Sequence, residues 1–98
     1  MIQHSVIFTL KHPAGSKEET AFMKAVMVLT EIPCVQDFQR FRQTSPKSIF
    51  TFGLSMKFDT QTDYEAYNNH PVHLDFIASK WIPEVEDFQE IDYVKYDD

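Results

Sequence analysis

Residues 2–10 alternate between two kinds of position. Ile2, His4, Val6, Phe8 and Leu10 fall on one side of an extended chain, and Gln3, Ser5, Ile7 and Thr9 on the other. A period of two sends successive side chains to opposite faces of a pleat, so this stretch predicts a half-buried strand. His4 lies on the more apolar side, either as a hydrogen-bonded core histidine or as part of a site. The pattern stops at residues 11–15 (KHPAG), where Pro13 and Gly15 predict a turn carrying a solvated His12. Ser16 and Glu19 then make the S-x-x-E capping box, which satisfies amide donors left open at a helix start. Beyond it the period changes. Phe22, Val26, Leu29 and Ile32 recur at intervals of three and four, with Ala25 on the same stripe, and Pro33 closes the helix. Met23 and Met27 flank the stripe as core filler.

Residues 34–43 read as a second strand with a bulge near 38–41, and residues 44–48 as a hairpin loop. Residues 49–58 are the strongest strand. Phe50, Phe52, Leu54, Met56 and Phe58 make an apolar face, while Thr51, Gly53, Ser55 and Lys57 make a small, polar one suited to the inside of a two-chain barrel. A helix over 59–69, capped by Asp59 or Thr60, puts Tyr64 and Tyr67 on one face. It breaks at Asn68-Asn69, because the residue before a proline avoids helical geometry. Pro71 fits the first turn of a new helix carrying His73, Phe76 and Ile77, which ends around 81–83. Residues 89–96 read as the last strand, with Ile91 and Tyr93 on one face and Val94 and Tyr96 on the other; Asp97 and Asp98 form an exposed tail. This order predicts a single α+β domain over 1–98, a ferredoxin-like βαββαβ protomer with a four-stranded antiparallel sheet and helices on one face. Covering the other face with the same face of a second chain predicts a homodimer, a dimeric α+β barrel.

Composition narrows the functional classes. Fifteen acidic against nine basic side chains give a net charge of −6, which disfavours a nucleic-acid partner. The single cysteine, Cys34, allows no internal disulfide and fits a reducing compartment. The start of the chain lacks signal-peptide features, and no apolar run approaches the ~20 residues of a membrane span. The expectation is a cytoplasmic protein without a membrane partner. With only Gly15 and Gly53 there is no phosphate-cradling loop, and no Ser-His-Asp or Cys-His pattern stands out. His70 and His73 lie three apart, but Pro71 interrupts the helix that would align them and no further ligands complete a set, so no metal and no cofactor are expected.

The densest chemistry lies in residues 64–76, YEAYNNHPVHLDF, which place Tyr67, His70 and His73 at intervals of three. Together with His4-x-Val6-x-Phe8, Ile32-Pro33 and Asp92-Tyr93, this segment resembles the stress-responsive A/B barrel domain family across the whole domain. The resemblance implies the same ferredoxin-like protomer in a dimeric barrel. Most members have no established reaction, but a plant polyketide cyclase of the family performs a cofactor-free aldol cyclisation. Its catalytic tyrosine and histidine match Tyr67 and His73, and its first-strand histidine matches His4. Phe52 replaces a further histidine of that enzyme, and Ala25 stands where it has a pocket tyrosine. The resemblance thus implies His73 as a base for a proton next to a carbonyl, Tyr67 as the orienting or oxyanion-binding hydroxyl, and His4 as a polar contact across the cavity. The pocket expected for a small apolar or keto-type ligand lies between sheet and helices, lined by Phe8, Phe22, Phe52, Phe76 and His70. The alternative is a non-catalytic, stress-associated dimer in which the phenylalanines fill that space, His70 ends a helix and Tyr67 is a core aromatic.

Overall fold

Strand β1 (Ile2–Leu10) runs through the middle of the sheet, and everything else is arranged about it. The structure is a computed structural model that describes residues 1–97; Asp98 lies outside the described residues. β1 pairs antiparallel with β3 (Phe52–Phe58) on one side and with β4 (Val85–Tyr93) on the other, and β2 (Gln36–Arg42) extends the sheet beyond β3. The strand order is β2-β3-β1-β4. Helices pack on one face only, giving the ferredoxin-like protomer. The alternation along β1 is realised: His4, Val6, Phe8 and Leu10 are buried, and Ile7 and Ser5 are only half-buried on the face that no helix covers.

Helix α1 (Lys17–Ala25) starts as its capping box dictates. Ser16 Oγ accepts from the Glu19 amide at 3.2 Å, and Glu19 reaches back to accept from the Gly15 amide at 3.0 Å. Gly15 sits at φ +76°, a left-handed conformation that glycine adopts without a Cβ penalty. The helix does not continue as an α-helix to Ile32. It tightens into a 3₁₀ stretch (Val26–Glu31) whose crowded Val26, Val28 and Thr30 disfavour α geometry, and Thr30 Oγ1 donates to the Met27 carbonyl at 2.7 Å.

Three boundaries differ from the sequence expectation. The bulge in β2 lies between Gln36 and Gln39, around Asp37 at φ 49°, slightly earlier than expected. β3 starts at Phe52, because the turn at 45–48 extends to Phe50, whose amide donates to Ser48 Oγ. β4 starts at Val85 and ends at Tyr93, leaving Val94 and Tyr96 exposed beyond it. The acidic residues Glu86, Asp87 and Glu90 on this edge strand hide its start from a hydrophobic pattern. His12 is not free in solvent either: its Nε2 pairs with Glu84 Oε1 at 2.8 Å, tying the first turn to the end of the last helix.

On the other side of the chain, α2 (Gln61–Asn69) is capped by Thr60, whose Oγ1 accepts from the Asp63 amide. Helix α3 (Pro71–Phe76) runs on through a π turn (Ile77–Trp81) and a last α turn (Ile82–Glu84) into β4. The densest core lies where these helices cross β1. Phe8 is fully buried, with the rings of Trp81, Phe52 and Phe22 at 5.0, 5.7 and 5.8 Å. A second aromatic group stacks Phe58 on Tyr64 at 5.1 Å, with Tyr67 at the same distance. Among the described residues no helix is long and apolar enough to cross a membrane.

Phe8→Ala removes the ring that three others pack around. It is expected to cost about 3–5 kcal/mol of unfolding free energy, read from denaturant titration. A loss below about 1 kcal/mol would mean that the aromatic core is not what holds helices to sheet.

Candidate functional site

The break between α2 and α3 builds one wall of the site. Pro71 has no amide hydrogen and pushes His70 to an extended conformation, φ −68° and ψ 137°. His70 then takes two local bonds. Its amide donates to the Tyr67 carbonyl at 3.1 Å, and its Nδ1 accepts from the Val72 amide at 3.1 Å, capping α3. Val72 is therefore lost as the helical partner of the Asn68 carbonyl. His73 takes its place: Nδ1–H donates to Asn68 O at 3.0 Å. This bond turns the imidazole onto Tyr67, with ring centroids 4.5 Å apart.

Protonation states follow from these contacts. Donation through Nδ1 leaves the lone pair of His73 on Nε2. Burial, helped by His4 and opposed by the Asn68 carbonyl and Glu90, lowers the pKa of His73 below its ordinary value, so the ring is neutral near pH 7. Burial, and then the Glu90 charge, raises the pKa of the Tyr67 hydroxyl, which stays protonated and acts as a donor. Tyr67 is 3% exposed and makes no hydrogen bond to protein among the described residues. No buried side-chain oxygen or nitrogen there is without a partner, so its hydroxyl reaches open space.

The third member comes from the sheet. The β1–β4 register sets His4 opposite Asp92. His4 Nδ1 lies 2.6 Å from Asp92 Oδ1 and 2.7 Å from the Tyr64 hydroxyl, which itself donates to Asp92 Oδ2 at 2.8 Å. A carboxylate only accepts, so Nδ1 carries the proton and Nε2 is the remaining nitrogen. Burial, with Asp92 beside it, raises the Tyr64 pKa and keeps that hydroxyl protonated. The rings of His4 and Tyr67 are 6.0 Å apart, so His4, Tyr67 and His73 form a row.

That row is the polar end of a cavity of about 400 Å³ between sheet and helices. Val6, Leu54 and Met56 form its floor; Leu29, Phe76, Ile77 and Trp81 form the opposite wall. Ile82 and Phe88, 66% and 49% exposed, stand at its mouth with Glu90. Of the residues expected to line a pocket, Phe76 does so. Phe8, Phe22 and Phe52 do not: they pack in the adjoining core, where the Trp81 indole lies against Phe8 and Phe22 and separates them from the cavity. His70 is not a lining residue either, because the α3 cap occupies it. Tyr64, Trp81 and Glu90 were missed as site residues, and Asp92 entered only through the family pattern. Tyr64 was signalled by sharing a helix face with Tyr67; the partnership of Asp92 with His4 needs the strand register. Among the described residues no group of three or more His, Cys, Asp or Glu side chains is placed to hold a metal ion.

The family model described as the stress responsive A/B barrel domain matches residues 2–95. Among solved structures, a Dabb family protein with a ferredoxin-like fold from Mesorhizobium loti is 47% identical, covering 98% of this chain and 97% of its own, with a TM-score of 0.95. The hydroxynitrile lyase from Passiflora edulis is 18% identical over 99% of this chain and 94% of its own, TM-score 0.84. A dimeric ferredoxin-like protein from Thermobifida fusca is 18% identical over 96% and 90%, TM-score 0.79. The last two share the fold with this chain. No curated protein matches it.

Two outcomes are expected. An NMR titration of the His73 ring should give a midpoint below the ordinary 6.5. Because the unfolded chain takes up that proton more readily, the contribution of His73 to stability is fully present above 6.5 and is lost as pH falls through the folded-state value. His73→Gln should remove that part of the acid-side slope, and an unchanged slope would refute the assignment. Tyr64→Phe should cost about 1–3 kcal/mol by denaturant titration, since it strips a partner from both Asp92 and His4.

Proposed function

The chain belongs to the stress responsive A/B barrel domain family, and from that premise we propose that it is a cytoplasmic, homodimeric, cofactor-independent enzyme of lyase or cyclase type that binds a keto-type small molecule. The chemistry begins with a proton on the carbon next to the carbonyl. His73 Nε2 takes that proton, the C–H electron pair forms the enolate double bond, and the carbonyl pair moves onto oxygen. The Tyr67 hydroxyl donates to that oxygen, and His4 supplies a polar contact from the sheet. The enolate then attacks a second carbonyl in a cyclisation; the reverse of such a step cleaves a carbon–carbon bond. Either way the proton held by His73 is returned and no redox partner is needed.

One observation carries this reading. A neutral imidazole with its Nδ1–H committed to Asn68 and a protonated tyrosine hydroxyl share one largely apolar cavity. In such surroundings a base near neutrality and a preplaced donor act more strongly than in water. The Passiflora protein, named as a hydroxynitrile lyase, supports the reading only to the extent that this fold can host a lyase. The dimer is supported by the uncovered sheet face, where Ile7, Phe41 and Ile91 are left without helices, and by related structures described as dimeric. The lone Cys34 fits a reducing, cytoplasmic setting.

Deuterium exchange next to the carbonyl of benzylacetone, followed by proton NMR in heavy water, tests the central step. The protein should accelerate exchange over buffer. His73→Ala should reduce the acceleration by about 10²–10⁴-fold and Tyr67→Phe by about 10²-fold, both variants keeping cooperative unfolding. No acceleration by the unmodified protein, or full acceleration by His73→Ala, would overturn the proposal. Light scattering should give a mass about twice 11.5 kDa; a monomer would remove the dimer from it.

A further inference from the structure

At the cavity mouth stands one carboxylate that makes no hydrogen bond or salt bridge among the described residues. Glu90 sits on β4 opposite Val6, on the helix-covered face of the sheet, and lines the cavity near its mouth. Among the described residues the carboxylates that face a basic or imidazole side chain are Asp92, Glu84, Glu19 and Asp37, so Glu90 is in no such pair. No lysine or arginine lines the cavity among the described residues. The chain does group cations elsewhere: Lys24, Arg40 and Arg42 line a separate groove beside α1. Inside the cavity the rest of the wall is apolar or carries the His4 and His73 rings and the Tyr67 hydroxyl, with Asp92 behind His4.

We propose that Glu90 is a specificity-determining residue that restricts this cavity to uncharged carbonyl compounds, ketones or aldehydes with an apolar substituent, and turns away keto acids and phosphorylated substrates. The inference rests on the reading of the cavity as a carbonyl site and names its substrate class. A carboxylate or phosphate drawn into this space would leave water, meet a second negative charge and find no lysine or arginine to offset either loss. An uncharged ketone meets none of these costs, and its oxygen is satisfied by the Tyr67 hydroxyl. The Glu90 charge is felt across the site, since it contributes to the raised pKa of both Tyr64 and Tyr67 and opposes the lowering at His73. A volume of about 400 Å³ accommodates a small ring with a short side chain.

Trp81 is the chain's only tryptophan and forms part of the cavity wall, so its fluorescence reports occupancy. Two probes of matched shape are titrated: benzylacetone, and the α-keto acid that carries a carboxylate in place of its methyl group. The unmodified protein should bind the ketone at least about tenfold more tightly than the keto acid, a difference of about 1.4 kcal/mol. Glu90→Gln should narrow the gap to about threefold or less, and Glu90→Lys should reverse the preference. Glu90 is exposed, so both variants should fold. Equal or tighter binding of the keto acid to the unmodified protein, or an unchanged gap in Glu90→Gln, overturns this proposal while leaving the carbonyl site standing. If neither probe moves the Trp81 signal, the carbonyl site itself fails, and the proposal fails with it.

Discussion

A missing hydrogen shapes much of this molecule. Because Pro71 offers no amide donor and forces His70 out of helical geometry, one helical path becomes two. His70 caps the second helix, the Asn68 carbonyl loses its ordinary partner, and His73 turns inward to satisfy it. An uninterrupted helix would bond Asn68 to Val72 and leave His73 with no reason to lie against Tyr67. The position and tautomer of that imidazole thus descend from a local backbone constraint, while burial is what lowers its pKa. His70, offered by the sequence either as a pocket residue or as a helix end, caps α3.

The sheet supplies the opposite wall by a different principle. A histidine N–H pointing into a core is costly unless it is bonded, and the Nδ1–H of His4 meets Asp92 at 2.6 Å and the Tyr64 hydroxyl at 2.7 Å. Tyr64 also donates to the other Asp92 oxygen, so the three side chains close on one another. The result is a second imidazole fixed in orientation, across Tyr67 from the first.

Between these walls the space under the helices divides in two. Toward Phe8, Phe22 and Phe52 the rings pack on one another as core. Toward Val6, Leu54 and Met56 the floor side chains are slimmer, and the helices leave a cavity open at the β4 edge. Trp81 stands between the two, in the π turn where α3 widens, and serves both as core and as wall. Aromatic packing and an open site therefore coexist on one sheet face, each enforced by the side chains directly beneath it.

Local physics was legible along the chain. The alternation in residues 2–10, the Ser16–Glu19 cap, the helical stripe from Phe22 and the break before Pro71 all depend on neighbours within a few residues, and each appears in the structure. So did the fold class, because the order of those elements admits few packings. Tyr67 and His73 stand out by type and spacing, whereas the roles given to them and to His4 come from the family resemblance. What needed the tertiary structure was everything set by register and packing between distant segments. The pairing of His4 with Asp92 spans 88 positions. The exclusion of Phe8 and Phe22 from the cavity depends on where Trp81 lands, and the place of Glu90 at its mouth depends on the β1–β4 register. Periodicity assigns a side chain to a face, but only the register between strands and the filling of volume decide which residues on that face meet each other and which meet open space.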